Sequence, residues 1–115
     1  MKKIPDEFKN DIKKAIQILK KYSCEKIYLF GSLAHETGNR SSDIDLAVDK
    51  CPEGMFFAIY AELIMTLEHP VDLIQLKNGD AFSEFLIREN ELILVAWKHN
   101  QEDQLWNQAN KHIDR

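Results

Sequence analysis

The chain has 115 residues and a formal net charge of −4 at pH 7. That length fits one domain able to bury a core without disulfide staples. With 44% hydrophobic and 30% charged residues, it reads as an ordinary folded protein. The mild acidity gives no basic stripe for direct DNA binding, and apolar runs such as Leu92 to Trp97 are far too short to span a membrane.

The N-terminus is charged and lacks the apolar stretch of a secretory signal, so the chain reads as cytoplasmic. Pro5-Asp6-Glu7 has the composition of a helix start. Ile12, Ala15, Ile16 and Leu19 follow at helical spacing and make one apolar stripe, with lysines 13, 14, 20 and 21 off it. Cys24 and Cys51 lie far apart and form no C-x-x-C, so they read as two reduced thiols. Ile27-Tyr28-Leu29-Phe30 is a short run of strand formers ending at Gly31-Ser32. A polar, turn-rich stretch then leads to Asp43-Ile44-Asp45-Leu46-Ala47-Val48-Asp49, where strict alternation predicts a strand. Ile44, Leu46 and Val48 fall on one side, and Asp43, Asp45, Ala47 and Asp49 on the other. Beyond the break at Pro52 to Gly54, the residues Phe56, Phe57, Tyr60, Leu63, Ile64 and Leu67 predict a second buried helical stripe. Val71 to Leu76 predicts a third strand, Asn78-Gly79-Asp80 a turn with a helix cap, and Phe82, Phe85 and Leu86 a short helix. Glu91 to Trp97 is a last apolar segment, strand or helical turn. The expected architecture is α+β: a small mixed β-sheet with helices on one face, formed by residues 1–97, with a polar tail or helix over 98–115.

Three acids carry the chemistry. On a strand, Asp43 and Asp45 point the same way, roughly 7 Å apart along the chain. Two carboxylates on one face repel unless a cation sits between them, and magnesium takes one or two carboxylates together with substrate phosphate oxygens. Asp72 opens an otherwise apolar strand, where an acid is costly to bury alone. If that strand lies beside the Asp43–Val48 strand, the three acids can share a pair of metals, as phosphoryl or nucleotidyl transfer requires. A solvated edge-strand face is the plain alternative for Asp43 and Asp45, and a lysine-paired strand end for Asp72. Gly31 lets the backbone approach a phosphate, and Ser32 offers a hydroxyl and an N–H, with a helix start behind it favouring anions. The alternative is an ordinary strand-to-helix turn. No G-x-x-x-x-G-K-[ST] occurs, so the turn is not a P-loop.

Phe30-Gly31-Ser32, followed at fixed spacing by Ser42-Asp43-Ile44-Asp45-Leu46 and later by Val71-Asp72-Leu73-Ile74, resembles the signature of the polymerase β-like nucleotidyltransferase superfamily. More narrowly it is similar to the minimal nucleotidyltransferases, the MntA-like antitoxin group. The resemblance implies that Asp43, Asp45 and Asp72 hold two Mg2+ ions and that Gly31 and Ser32 bind the triphosphate of ATP. It implies that Asp72 also helps to deprotonate the acceptor hydroxyl. It further implies transfer of AMP to a partner protein, a HEPN-type helical toxin, within a toxin–antitoxin pair that forms a hetero-oligomer. The chain departs from the pattern at Leu33 and His35, where arginines are usual, and at Glu36, where glycine is usual. Arg40, or else Lys77, is then the candidate to supply positive charge to the phosphates. Two other readings are a non-catalytic binding antitoxin and a nucleotidyltransferase acting on a small-molecule hydroxyl. His35 could touch a phosphate or act as an acid, or else stand as an exposed loop histidine, whereas His69, His99 and His112 show no metal-ligand spacing. Tyr28, Phe30 and Trp97 read as core, and Trp106 as core or partner surface.

Overall fold

The computed structural model describes residues 4–35 and 43–97. Arg40, Glu36 and the tail from 98 onward, including Trp106, His99 and His112, fall outside the described residues, as does the side chain of Trp97. Helix α1 runs Asp6–Lys21, behind Pro5 as N-cap. Its first turn carries Asp6 and Glu7 and its last turn Lys20 and Lys21, each opposing the local end of the helix dipole. Strand β1 (Lys26–Phe30) leads through a single 3-10 turn (Ser32–His35) to β2 (Ile44–Asp49). Helix α2 (Phe56–Thr66), β3 (Val71–Gln75), α3 (Ala81–Arg88) and β4 (Ile93–Trp97) complete the order.

The sheet order is β3-β2-β1-β4. β1 pairs antiparallel with β2 and with β4, whereas β2 and β3 are parallel. A parallel pair needs a crossover, and α2 is that crossover. The expected mixed α+β sheet is therefore what forms, and the last segment resolves as a strand.

One face of the sheet, with Ile27, Leu29, Ile44, Leu46, Val48, Leu73 and Val95, packs on Phe8, Ile12, Ala15, Ile16 and Leu19 of α1 and on Ile59 and Leu63 of α2. These two helices are the layer that the alternation predicted. Short α3 sends Leu86 to the opposite face, where it meets Phe30 and Ala47 with Tyr28 and Ile74 alongside. Asp80 caps α3 by accepting from the Ser83 N–H at 2.9 Å.

Two sequence readings are corrected. The buried stripe on α2 is Ile59 and Leu63, continued by Leu67 at its C-cap, while Phe57 is 82% and Ile64 60% exposed. Because α2 is apolar nearly all round, periodicity alone could not orient it. Cys24 and Cys51 form a disulfide instead of standing as two thiols. Pairing of Lys26 with Asp49 brings the residues just outside both strands together, so the Cα atoms lie 4.1 Å apart despite a separation of 27 residues.

A buried acid ties the helices to the sheet. Asp11 of α1 is almost fully buried. It accepts from the backbone N–H groups of Glu68 (3.0 Å) and His69 (2.9 Å), and His69 Nδ1 lies 2.8 Å away. Burial pushes its carboxyl up, but the His69 ring and the two backbone donors outweigh this and hold it below the ordinary value. Farther along, Lys21 and Tyr22 grip the two oxygens of Glu62 on α2 at 2.5 and 2.7 Å.

Candidate functional site

The candidate site lies where β1 ends and β2 and β3 begin. The Ile44 N–H donates to Pro70 O at 2.8 Å at that end, and the Leu76 N–H to Val48 O at 2.8 Å at the other. The parallel register is thereby pinned at both ends. It sets Asp45 directly opposite Asp72, while antiparallel pairing with β1 sets Phe30 opposite Asp45. Residues in register share a face, so Phe30, Asp45 and Asp72 form one row across three strands. This is the face away from α1 and α2.

Gly31 follows Phe30 with φ +75°, a backbone conformation that disfavours side chains, and a Cβ there would overlap the Asp45 carboxylate. The glycine thus makes room for the acid, a role the sequence did not reveal. Asp45 is partly buried and its carboxyl is pushed up to about 6, first by desolvation and then by the charges of Asp72 and Asp43. Among the described residues, no lysine or arginine forms an ion pair with any of the three acids. Negative charge that no described lysine or arginine pairs with is what a divalent cation would neutralise, and the oxygen donors suit magnesium.

Tyr60 of α2 donates its hydroxyl to Asp72 Oδ1 at 2.9 Å and also reaches Val71 O at 3.3 Å. Burial, and then that bond to Asp72, raises the Tyr60 hydroxyl above its ordinary value. Periodicity marked Tyr60 only as part of a buried stripe. Its signal was the hydroxyl itself, which needs a partner when the ring is packed. Among the described residues, no three acidic, imidazole or thiol side chains lie together so as to hold a metal ion by themselves. Substrate phosphates would have to supply the remaining ligands.

Ser32 follows the glycine, and the segment behind it is one 3-10 turn of four residues. That is too short to project a helix dipole, so the field expected from a helix start does not form. Leu33 is buried in the core and offers nothing to a phosphate. Lys77 lies beyond the far end of β3 and cannot stand in. It lines a separate cavity of about 530 Å³ with Tyr28, Asp49, Lys50, Leu86 and Asn90, at the opposite end of the sheet from the acids.

The family described as Polymerase beta, Nucleotidyltransferase matches residues 13–99. The chain belongs to that family. No curated protein matches this nucleotidyltransferase significantly in sequence. Solved structures do resemble it. A toxin–antitoxin with AMP-PNP shares 22% identity at a TM-score of 0.60, over 96% of this chain and 88% of that one. The toxin–antitoxin MntA–HepT shares 18% at 0.56, over 91% and 86%. At such identities the likeness establishes the fold of this nucleotidyltransferase and no more.

Proposed function

We propose that this nucleotidyltransferase moves AMP from ATP onto a hydroxyl of a partner protein, as the antitoxin of a toxin–antitoxin pair whose toxin is a HEPN-type helical protein. The observation that carries the transfer reading is the row of Asp45 and Asp72 in register, with Gly31 vacating the space beside the first acid. The partner reading is supported by the toxin–antitoxin structures that share the fold. Phe57, Ile64 and Met65 add to it, as large apolar side chains left 60–85% exposed on the outer side of α2.

Asp43, Asp45 and Asp72 would hold a pair of Mg2+ ions. Bound there, magnesium supplies charge neutralisation for the triphosphate and acidifies the acceptor hydroxyl. Gly31 and Ser32 would receive phosphate oxygens through the Ser32 hydroxyl and the backbone N–H groups of the turn, and Arg40 would add charge to them. Asp72 would accept the acceptor proton through the oxygen that Tyr60 leaves open. The acceptor oxygen then attacks the α-phosphorus, the bond to the bridging oxygen breaks, and pyrophosphate leaves. Positioning by a rigid sheet row provides most of the rate gain.

Label transfer from α-labelled ATP to a co-purified toxin, in magnesium, tests the proposal. Transfer by the wild type and none by Asp45→Ala is expected; a wild type that transfers nothing removes the enzyme reading. A non-catalytic antitoxin is favoured by the single observation that Tyr60 engages Asp72. On that reading, Asp43→Ala and Asp45→Ala would still neutralise the toxin.

A further inference from the structure

The acidic row has an aromatic neighbour that the transfer chemistry leaves unused. Helix α3 crosses the same sheet face, with Leu86 packed on Phe30 and Ala47. One turn earlier, Phe82 meets Phe30 edge-on, with ring centroids 6.1 Å apart and planes at 72°. Phe82 and Phe85 are nearly parallel, their centroids 6.5 Å apart. Phe30 is buried, whereas Phe82 and Phe85 are 48% and 44% exposed. The helix fixes both rings, and they keep half their apolar surface in water. Directly opposed side chains on an antiparallel pair start about 5 Å apart, which puts Phe82 on the order of 10 Å from the Asp45 carboxylate. A single ribose bridges such a gap between an α-phosphate and its base.

We propose that Phe82, backed by Phe85, is the platform on which the nucleobase of the bound nucleoside triphosphate lies. The inference rests on the reading that Asp45 and Asp72 take a triphosphate. A phenyl ring offers a face and no hydrogen-bonding group, so it rewards ring area and does not read base edges. The platform therefore selects purines over pyrimidines and treats ATP and GTP alike. Discrimination between those two has to come from elsewhere, such as the partner.

Calorimetric titration of the full chain in magnesium, with ATP, GTP, CTP and inorganic tripolyphosphate, tests this. The wild type should bind ATP and GTP with similar affinity, each about tenfold tighter than tripolyphosphate, with CTP between. Phe82→Ala should bring ATP down to the level of tripolyphosphate and leave tripolyphosphate unchanged, while Phe82→Trp should keep or tighten ATP binding. Circular dichroism of each variant confirms folding. The platform is overturned if the double variant Phe82→Ala/Phe85→Ala keeps the wild-type ratio of ATP to tripolyphosphate, or if the wild type binds both equally. Asp45→Asn separates the two ideas, because it should weaken all four ligands together. Failure of the wild type to bind either ATP or tripolyphosphate would overturn the triphosphate reading itself, and the platform with it.

Discussion

Gly31 has φ +75° and stands against the Asp45 carboxylate. Alanine there meets two penalties, left-handed strain and collision with the acid. We expect Gly31→Ala to cost about 1–3 kcal/mol of stability and on the order of a hundredfold in transfer rate, since small displacements of a reacting group are that expensive. A chemical melt and a single-turnover assay measure the two effects separately. Asp45 itself should trade stability for function. Its carboxyl ionises at about 6 in the fold against 3.8 ordinarily. The fold thus disfavours the charged form, and metal-free protein loses stability as pH rises from about 4 through about 6. Below that window both states are protonated and nothing is lost. Asp45→Asn should stabilise the metal-free protein by about 1–2 kcal/mol at about pH 8, after allowing for solvent screening, and should converge with wild type near pH 4. Parallel melting curves across that range, with no convergence at the acid end, would sink the assignment. Tyr60 acts at one remove by holding Asp72 Oδ1. Tyr60→Phe should leave the fold intact and lower metal affinity or kcat about tenfold, as loss of a carboxylate's supporting hydrogen bond generally does.

The elements explain which of these features the sequence could disclose. β2 was legible because alternating Ile44, Leu46 and Val48 must face the core, which forces Asp43 and Asp45 to the other side. Asp72 could be joined to them only conditionally, since nothing local states that β3 pairs parallel with β2. The crossover helix α2 settles it. α2 itself was misread in part, with Phe57 and Ile64 placed inside, because a helix apolar on most sides has no periodic signal for its buried stripe. Asp11 was invisible, being one more charged residue beside Ile12 until the turn after α2 folds over it. Its partners are 57 and 58 residues away. Asp11→Ala should cost about 2–4 kcal/mol by leaving two partly buried N–H groups and the His69 ring without their acceptor. In the wild type the carboxyl is held below its ordinary value. The Asp11 contribution is therefore complete above the unfolded-state value of 3.8 and fades as pH falls through the lower folded value. An acid-unfolding midpoint shifted upward in the variant would show it, and an unchanged midpoint would remove Asp11 from the account.

At the scale of the molecule, the two ends of the sheet do different work. The end with Asp45 and Asp72 concentrates like charge, which is unfavourable to folding without a cation. The opposite end carries the Cys24–Cys51 bond, which flanks the paired termini of β1 and β2. That bond closes a loop containing β1, the glycine turn, the 3-10 turn, residues 36–42 and β2. It therefore confines in the unfolded chain the segment that carries Gly31, Asp43 and Asp45, two of the three acids, while Asp72 on β3 lies outside the loop. For a sequence separation of 27, loop closure predicts about 3–4 kcal/mol of stabilisation. Reduction should not dismantle the fold, because the β1–β2 ladder and the α1 and α2 core lie outside the bond itself. We expect a folded but less stable reduced protein, and Cys24→Ser/Cys51→Ser melting with the reduced wild type instead of the oxidised one. Because Cys24 is only 1% exposed, reductant has to attack through Cys51, so reduction should be slow until the segment before α2 opens. Denaturant midpoints measured with and without reductant, at matched pH, decide the point. Coincident midpoints would mean that the bond adds nothing to holding the acidic end in place.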